Sequence, residues 1–255
     1  MTSLQDMSDD RGIPLDRVGV TGLVQMVTEA THQGERTAPA RFDLSVALPG
    51  DARGVHLSRF ARVLSQETVK VSPAGLRSLL ERLRAGLEAT EAFAEVEYDL
   101  LVSKKAPVSG RESLMACPVH IAASLGEDYS YSLGVTVPVM TVCPCSQEAT
   151  DGTGHSQRTR VEIAVAFDGR VLPHELVELA ESCASAPVYP LLTGEDEQHV
   201  IESAALRPVF VEDVVRGIAE RLEADVRIGW YRVEAESLES VSPHNVYASV
   251  ERAIA

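Results

Sequence analysis

Hydrophobic and polar residues alternate along several stretches of this chain and follow a helical period along others. Residues 41–48 place Phe42, Leu44, Val46 and Leu48 on one side, the period-two pattern of a half-buried strand, and Pro49-Gly50 ends it. Residues 94–102 repeat the pattern with Val96, Tyr98, Leu100 and Val102, and residues 160–167 with Val161, Ile163, Val165 and Phe167. Further strands are predicted over 17–27, rich in β-branched residues, and over 114–124, 129–140 and 227–236. A short helix is predicted over 57–66. A second starts at Ser72-Pro73, an N-cap followed by proline at the first helical position, with Leu76, Leu79, Leu80, Leu83 and Leu87 as its apolar stripe. Residues 173–183 read as a helix with Leu176, Leu179 and Ala180 inward. Residues 208–222 read as another, striped by Val211, Val214, Val215, Ile218 and Leu222.

The order is roughly ββααββ followed by βααβ, which predicts an α+β fold: two ββααββ-like modules with an antiparallel sheet and paired helices on one face. Residues 1–12 read as a disordered tail. Residues 13–255 read as one bimodular unit, with an N-terminal module over about 13–140 and a C-terminal one over about 141–255.

Composition narrows the function. The chain has 255 residues and a formal net charge of −15, which argues against binding to nucleic acid or to an anionic membrane. No apolar run is long enough to span a bilayer and the first residues lack a signal-peptide pattern, so a cytoplasmic location is expected. Four cysteines make no disulfide framework.

Two of those cysteines, Cys143 and Cys145, flank Pro144 at the end of a predicted strand, and His155 follows before the next one. Thiolate and imidazole are the ligands that zinc and related ions prefer, and a local set completed from elsewhere suits an open catalytic metal site. Either thiol could be aimed at the ion by one turn.

Residues 143–158 carry Cys-Pro-Cys-Ser and His-Ser-Gln-Arg, and this segment resembles the signature of type IB GTP cyclohydrolases of the tunnelling-fold superfamily. Further blocks in the same order extend the resemblance over nearly the whole chain: Arg41 to Val46, Gly54 to Phe60, Lys105 to Gly110, Ser185 to Leu192, Phe210 to Asp213, and Arg232 onward to Glu239-Ser240. The resemblance implies a metal-dependent conversion of GTP and water to formate and 7,8-dihydroneopterin triphosphate. It implies zinc or manganese, with iron possible, and a homotetramer with sites at subunit interfaces. By position, Cys143 and His155 match metal-site residues, and Glu197 matches a further ligand. Glu212 matches the carboxylate that reads guanine, with Glu239 as second candidate. His56, Ser58, Arg59, Lys105 and Arg158, with Lys104 and Arg111 nearby, supply cations and polar groups for a triphosphate.

One departure stands near the C-terminus. The family pattern Glu-Ser-Ile-His-x-His is here Glu239-Ser240-Val241-Ser242-Pro243-His244, so Ser242 replaces the first histidine and His244 keeps the second as metal ligand or catalytic residue. Serine neither shuttles protons near neutrality nor ligates zinc well. Alternatives therefore stay open: a sibling cyclohydrolase giving a cyclic-phosphate or ring-opened product, a nitrile reductase of the same superfamily using cysteine and NADPH, and a non-catalytic purine-nucleotide-binding relative.

Overall fold

The computed structural model describes residues 5, 7–32, 34–152 and 154–254. Its chain divides into two compact units, one of residues 1–98 and 120–132, the other of residues 99–119 and 133–255. The division falls inside three strands, β4 (Ala92–Lys105), β5 (Glu112–Leu125) and β6 (Tyr129–Val142).

In the first unit, the alternation of residues 41–48 belongs to a longer strand, β2 (Gly34–Leu48), which buries Ala38, Ala40, Phe42, Leu44, Val46 and Leu48. It pairs antiparallel with β1 (Leu15–Thr31) and with the first half of β4. Helix α1 (Leu57–Leu64) packs on β1, and α2 (Pro73–Leu87) packs on α1. Ser72 caps α2 by accepting from the Gly75 backbone N–H at 3.2 Å, and Leu76, Leu79, Leu80 and Leu83 are fully buried. The strand β3 (Val69–Lys70) lies between these helices in sequence and joins β1 in parallel.

Residues 1–4 and 6 of the expected tail lie outside the described residues. Beyond them, the Asp9 N–H donates to the Asp51 carbonyl at 2.9 Å, and the Arg53 N–H to the Met7 carbonyl at 3.2 Å.

In the second unit, β6 pairs with β7 (Ser156–Phe167), β7 with β9 (Ile228–Leu238), and β9 with β10 (Val246–Ala253), all antiparallel. The small strand β8 (Ala186–Pro187) pairs with β6. Helix α3 (Pro144–Ala149) follows β6, α4 (Pro173–Cys183) packs on β7, and α6 (Val211–Ala224) packs on α4, β9 and β10. Helix α5 (Gly194–Ala205) precedes α6.

The expected architecture is corrected here. Ten strands outnumber six helices among the described residues, and the element order does not repeat as two ββααββ modules. The helices are not the consecutive pairs predicted, since β3 separates α1 from α2 and β8 separates α4 from α5. Two-residue strands are too short to show alternation. Helix α5 buries only Asp196 and Ala204, so it carries no apolar stripe from which to predict a helix.

Candidate active site

The second unit holds a cleft of about 350 Å³ between the ends of β6, β7 and β9 and the start of α6. Cys143, His155, Glu212, Glu239 and His244 all line it, drawn from four separate stretches of chain. Ser242 lines it too.

The floor comes from strand alternation. Inward positions run Val137, Val139, Thr141 on β6, Val161, Thr159, Gln157 on β7, and Val233, Ala235, Ser237 on β9. Along each strand the buried row changes from apolar to polar, and the register aligns the changes: Thr141 opposite Gln157, and Thr159 opposite Ser237. The Thr141 hydroxyl lies 2.8 Å from that of Thr159, and Thr159 lies 3.1 Å from Ser237. Buried polar groups must find partners, and these find one another.

Hydrogen bonds draw Cys143 and His155 together across the connection that carries α3. The Cys143 N–H donates to the His155 carbonyl at 3.1 Å. The Ser146 hydroxyl donates to the Cys143 carbonyl at 3.0 Å while accepting from the His155 N–H at 2.9 Å. Pro144 opens α3, which places Cys143 at its N-cap, half-buried on the cleft, and Cys145 on the exposed side. The turn thus distinguishes the two thiols. Behind it, the buried Ser185 hydroxyl accepts from the Val142 N–H at 3.0 Å. Ser185→Ala leaves that N–H without its partner and is expected to cost about 1–3 kcal/mol, measured by denaturant unfolding.

His155 Nδ1 lies 2.9 Å from the Gln157 amide nitrogen and 3.7 Å from Glu239 Oε2. The same amide nitrogen donates to Glu239 Oε2 at 3.3 Å, and the Gln157 oxygen accepts from the Thr141 hydroxyl at 3.2 Å. Glu212 sits in the first turn of α6, where Asp213 rather than Glu212 accepts from the Phe210 N–H at 3.3 Å. The Glu212 carboxylate therefore has no cap to serve.

Several expected site residues lie elsewhere. Glu197 is exposed on α5 and does not line the cleft. Its neighbour Asp196 is the buried member of the acidic run, accepting from the Val108, Ser109 and Thr193 N–H groups at 2.8–2.9 Å and from the Ser109 hydroxyl at 2.7 Å. Burial alone would raise the Asp196 pKa, but the hydrogen bonds from Thr193 and Ser109 outweigh it and hold the carboxyl below its ordinary 3.8. One residue on, about 100° around the helix, Glu197 faces solvent.

Lys104 is buried and its Nζ contacts Glu181 Oε1 at 2.6 Å, so it is already paired. Lys105 and Arg111 are exposed. Arg158 is exposed on the face of β7 opposite Gln157, away from the cleft floor. His56, Ser58 and Arg59 belong to the first unit, where His56 is the N-cap of α1 and Arg59 donates to the Gly86 carbonyl at 3.2 Å. Gln157, Thr141, Thr159, Ser237 and Ser146 went unassigned in the sequence, although the apolar-to-polar change along three strands marks four of them.

All four cysteines are free thiols. Burial, with the nearby Glu181 carboxylate, pushes the Cys117 thiol up to about 11, so it stays protonated at neutral pH. Brief iodoacetamide treatment of native protein at neutral pH is expected to label Cys145 and to spare Cys117 and Cys183, read by peptide mass spectrometry.

The family model for type I GTP cyclohydrolase FolE2 matches residues 1–248. The chain belongs to the FolE2 family. It is 41% identical over 256 residues to the GTP cyclohydrolase FolE2 of Nitratidesulfovibrio vulgaris strain Hildenborough, covering 100% of this chain and 97% of that one. It is 39% identical over 254 residues to that of Kosmotoga olearia, covering 99% and 98%. Among solved structures, this FolE2-family chain resembles the uricase of Arthrobacter globiformis (TM-score 0.52, 10% identity, covering 94% and 93%). It also resembles the urate oxidase of Bacillus sp. TB-90 (TM-score 0.55, 7% identity, covering 94% and 99%). At such identity the likeness concerns the fold alone.

The donor types in the FolE2-family cleft are ones that divalent ions take, since a cysteine, two histidines and two glutamates line it. Among the described residues no three such side chains are gathered into a cluster that could hold one.

Proposed function

We propose that this chain hydrolyses GTP to formate and 7,8-dihydroneopterin triphosphate, the entry step of folate biosynthesis. The observation that carries this reading is the convergence of Cys143, His155, Glu212, Glu239 and His244 on one cleft, joined to membership of the FolE2 family. The narrower type IB assignment rests on the Cys-Pro-Cys-Ser and His-x-Gln-Arg blocks.

C8 of guanine is a weak electrophile, and a divalent ion, when bound, would make hydroxide available there near neutral pH. Cys143 and His155, with Glu197 and His244 as the further candidate ligands, are the residues that would hold the ion, with zinc or manganese suited to those donor types and iron admitted. Glu212 accepts from the guanine N1–H and exocyclic amine, two parallel charge-assisted bonds that adenine cannot return. His244 protonates the ring nitrogen that leaves as the imidazole opens, and Ser242 beside it only shapes the wall. Lys105, with His56, Ser58, Arg59 and Arg158, remains the proposed source of triphosphate contacts.

A homotetramer in the cytoplasm belongs to the same proposal. It is supported by β10, which stands last in the strand order of its unit with Val246 and Tyr247 exposed, an edge that invites pairing. No helix among the described residues is long and apolar enough to cross a membrane.

The test is pterin fluorescence after oxidation of reactions containing GTP or ATP, with and without added zinc or manganese. Fluorescence from GTP alone, abolished by a chelator and restored by the ion, is expected. Formate without pterin would instead support the ring-opened product, and GTP binding without turnover the non-catalytic relative.

A further inference from the structure

Gln157 lines the cleft two residues from His155 and links the side chains of His155, Glu239 and Thr141. Its amide nitrogen stands 2.9 Å from His155 Nδ1 and 3.3 Å from Glu239 Oε2. An amide oxygen in that position would face a carboxylate oxygen and be repelled, so the nitrogen belongs there. The other end agrees, because the amide oxygen then accepts from the Thr141 hydroxyl at 3.2 Å. Thr141 is in turn held by Thr159 at 2.8 Å and Ser237 at 3.4 Å. All four side chains are buried, with Gln157 6% exposed and Thr159 fully enclosed.

A donor aimed at Nδ1 has a chemical consequence. A neutral imidazole carries one proton, and a ring nitrogen that accepts cannot also hold it. The proton therefore sits on Nε2. We infer that Gln157 is a positioning residue that, anchored by the Thr141–Thr159–Ser237 hydroxyls, fixes ion-free His155 as the Nε2–H tautomer and holds Glu239 beside it. This deepens the proposed function, resting on His155 as part of the site. Groups behind a ligating histidine commonly set its tautomer and orientation in this way.

The test reads the tautomer itself rather than turnover, so its failure is distinct from failure of the cyclohydrolase reading. Full-length protein, stripped of metal and labelled with nitrogen-15, is observed by two-bond proton–nitrogen correlation at a pH where the ring is neutral. His155 is assigned from its absence in His155→Ala. Wild type is expected to show an unprotonated Nδ1 and a protonated Nε2. Gln157→Glu, which turns the donor at Nδ1 into an acceptor, is expected to reverse them. Gln157→Leu is expected to give a mixture of both. A merely structural role would alter the melting temperature without reversing the tautomer. Wild-type His155 in the Nδ1–H form would overturn the inference even if neither variant folded. So would an identical tautomer in all three folded proteins.

Discussion

Replacing Cys143 by alanine is expected to lower formate release from GTP by about 10³-fold or more. The estimate follows from the role. A catalytic ion stabilises the transition state by several kcal/mol, and each ~1.36 kcal/mol is a factor of ten in rate. The companion Cys145→Ala should keep activity near that of the wild type, because Cys145 stands on the exposed side of α3 and does not line the cleft. Both variants should melt close to the wild type. Cys143 holds its turn through its backbone N–H and carbonyl, which alanine retains. Steady-state formate assays with a circular-dichroism melt for each variant check the expectation. Equal losses from the two substitutions would contradict the placement of the thiols, and an active Cys143→Ala would remove the thiolate from the mechanism.

Glu212→Gln carries the second large effect. The carboxylate offers two acceptors side by side to the two donors on the guanine edge, whereas an amide turns one of them into a donor. Hydrogen bonds to charged groups are worth about 1.5–3 kcal/mol each, and a mismatched donor adds an unpaired polar group. The expected loss in kcat/KM for GTP is about 10²-fold, carried mainly by KM, since the contact is made in ground and transition states alike. Stability should change little: Asp213 makes the capping bond of α6, so Glu212 contributes only the modest dipole interaction of an acid in the first turn. A loss in kcat with KM unchanged would move Glu212 from recognition to chemistry.

These two residues also show which features of the site were legible before the fold. Cys143 and His155 were visible because their chemistry is rare and concentrated in one short segment. Glu212, Glu239 and His244 entered through the family resemblance, and the fold brings all three to the cleft. The acidic run Glu195-Asp196-Glu197 does not say which member faces inward. That was decided by backbone donors from residues 108 and 109, far away in sequence, which converge on Asp196.

Lys104 was similarly indistinct from its neighbour Lys105 until the buried pairing with Glu181 separated them. Strand alternation located nearly every long strand but underestimated their lengths, because strand ends carry mixed residues, as in β7, which begins at Ser156 rather than 160. What the pattern could not supply was the element order that sets β3 and β8 between helices. Pairing of two-residue strands is decided by distant partners, not by local composition.

The most direct measurement follows the carbon that the reaction must expel. GTP carrying carbon-13 at C8 is incubated with the protein and a divalent ion, and the label is followed by NMR. The label is expected to leave the purine and appear as formate, at a rate that collapses in Cys143→Ala. Label that stays in intact GTP under ion-loaded conditions, with the protein folded and nucleotide bound, would contradict the cyclohydrolase account.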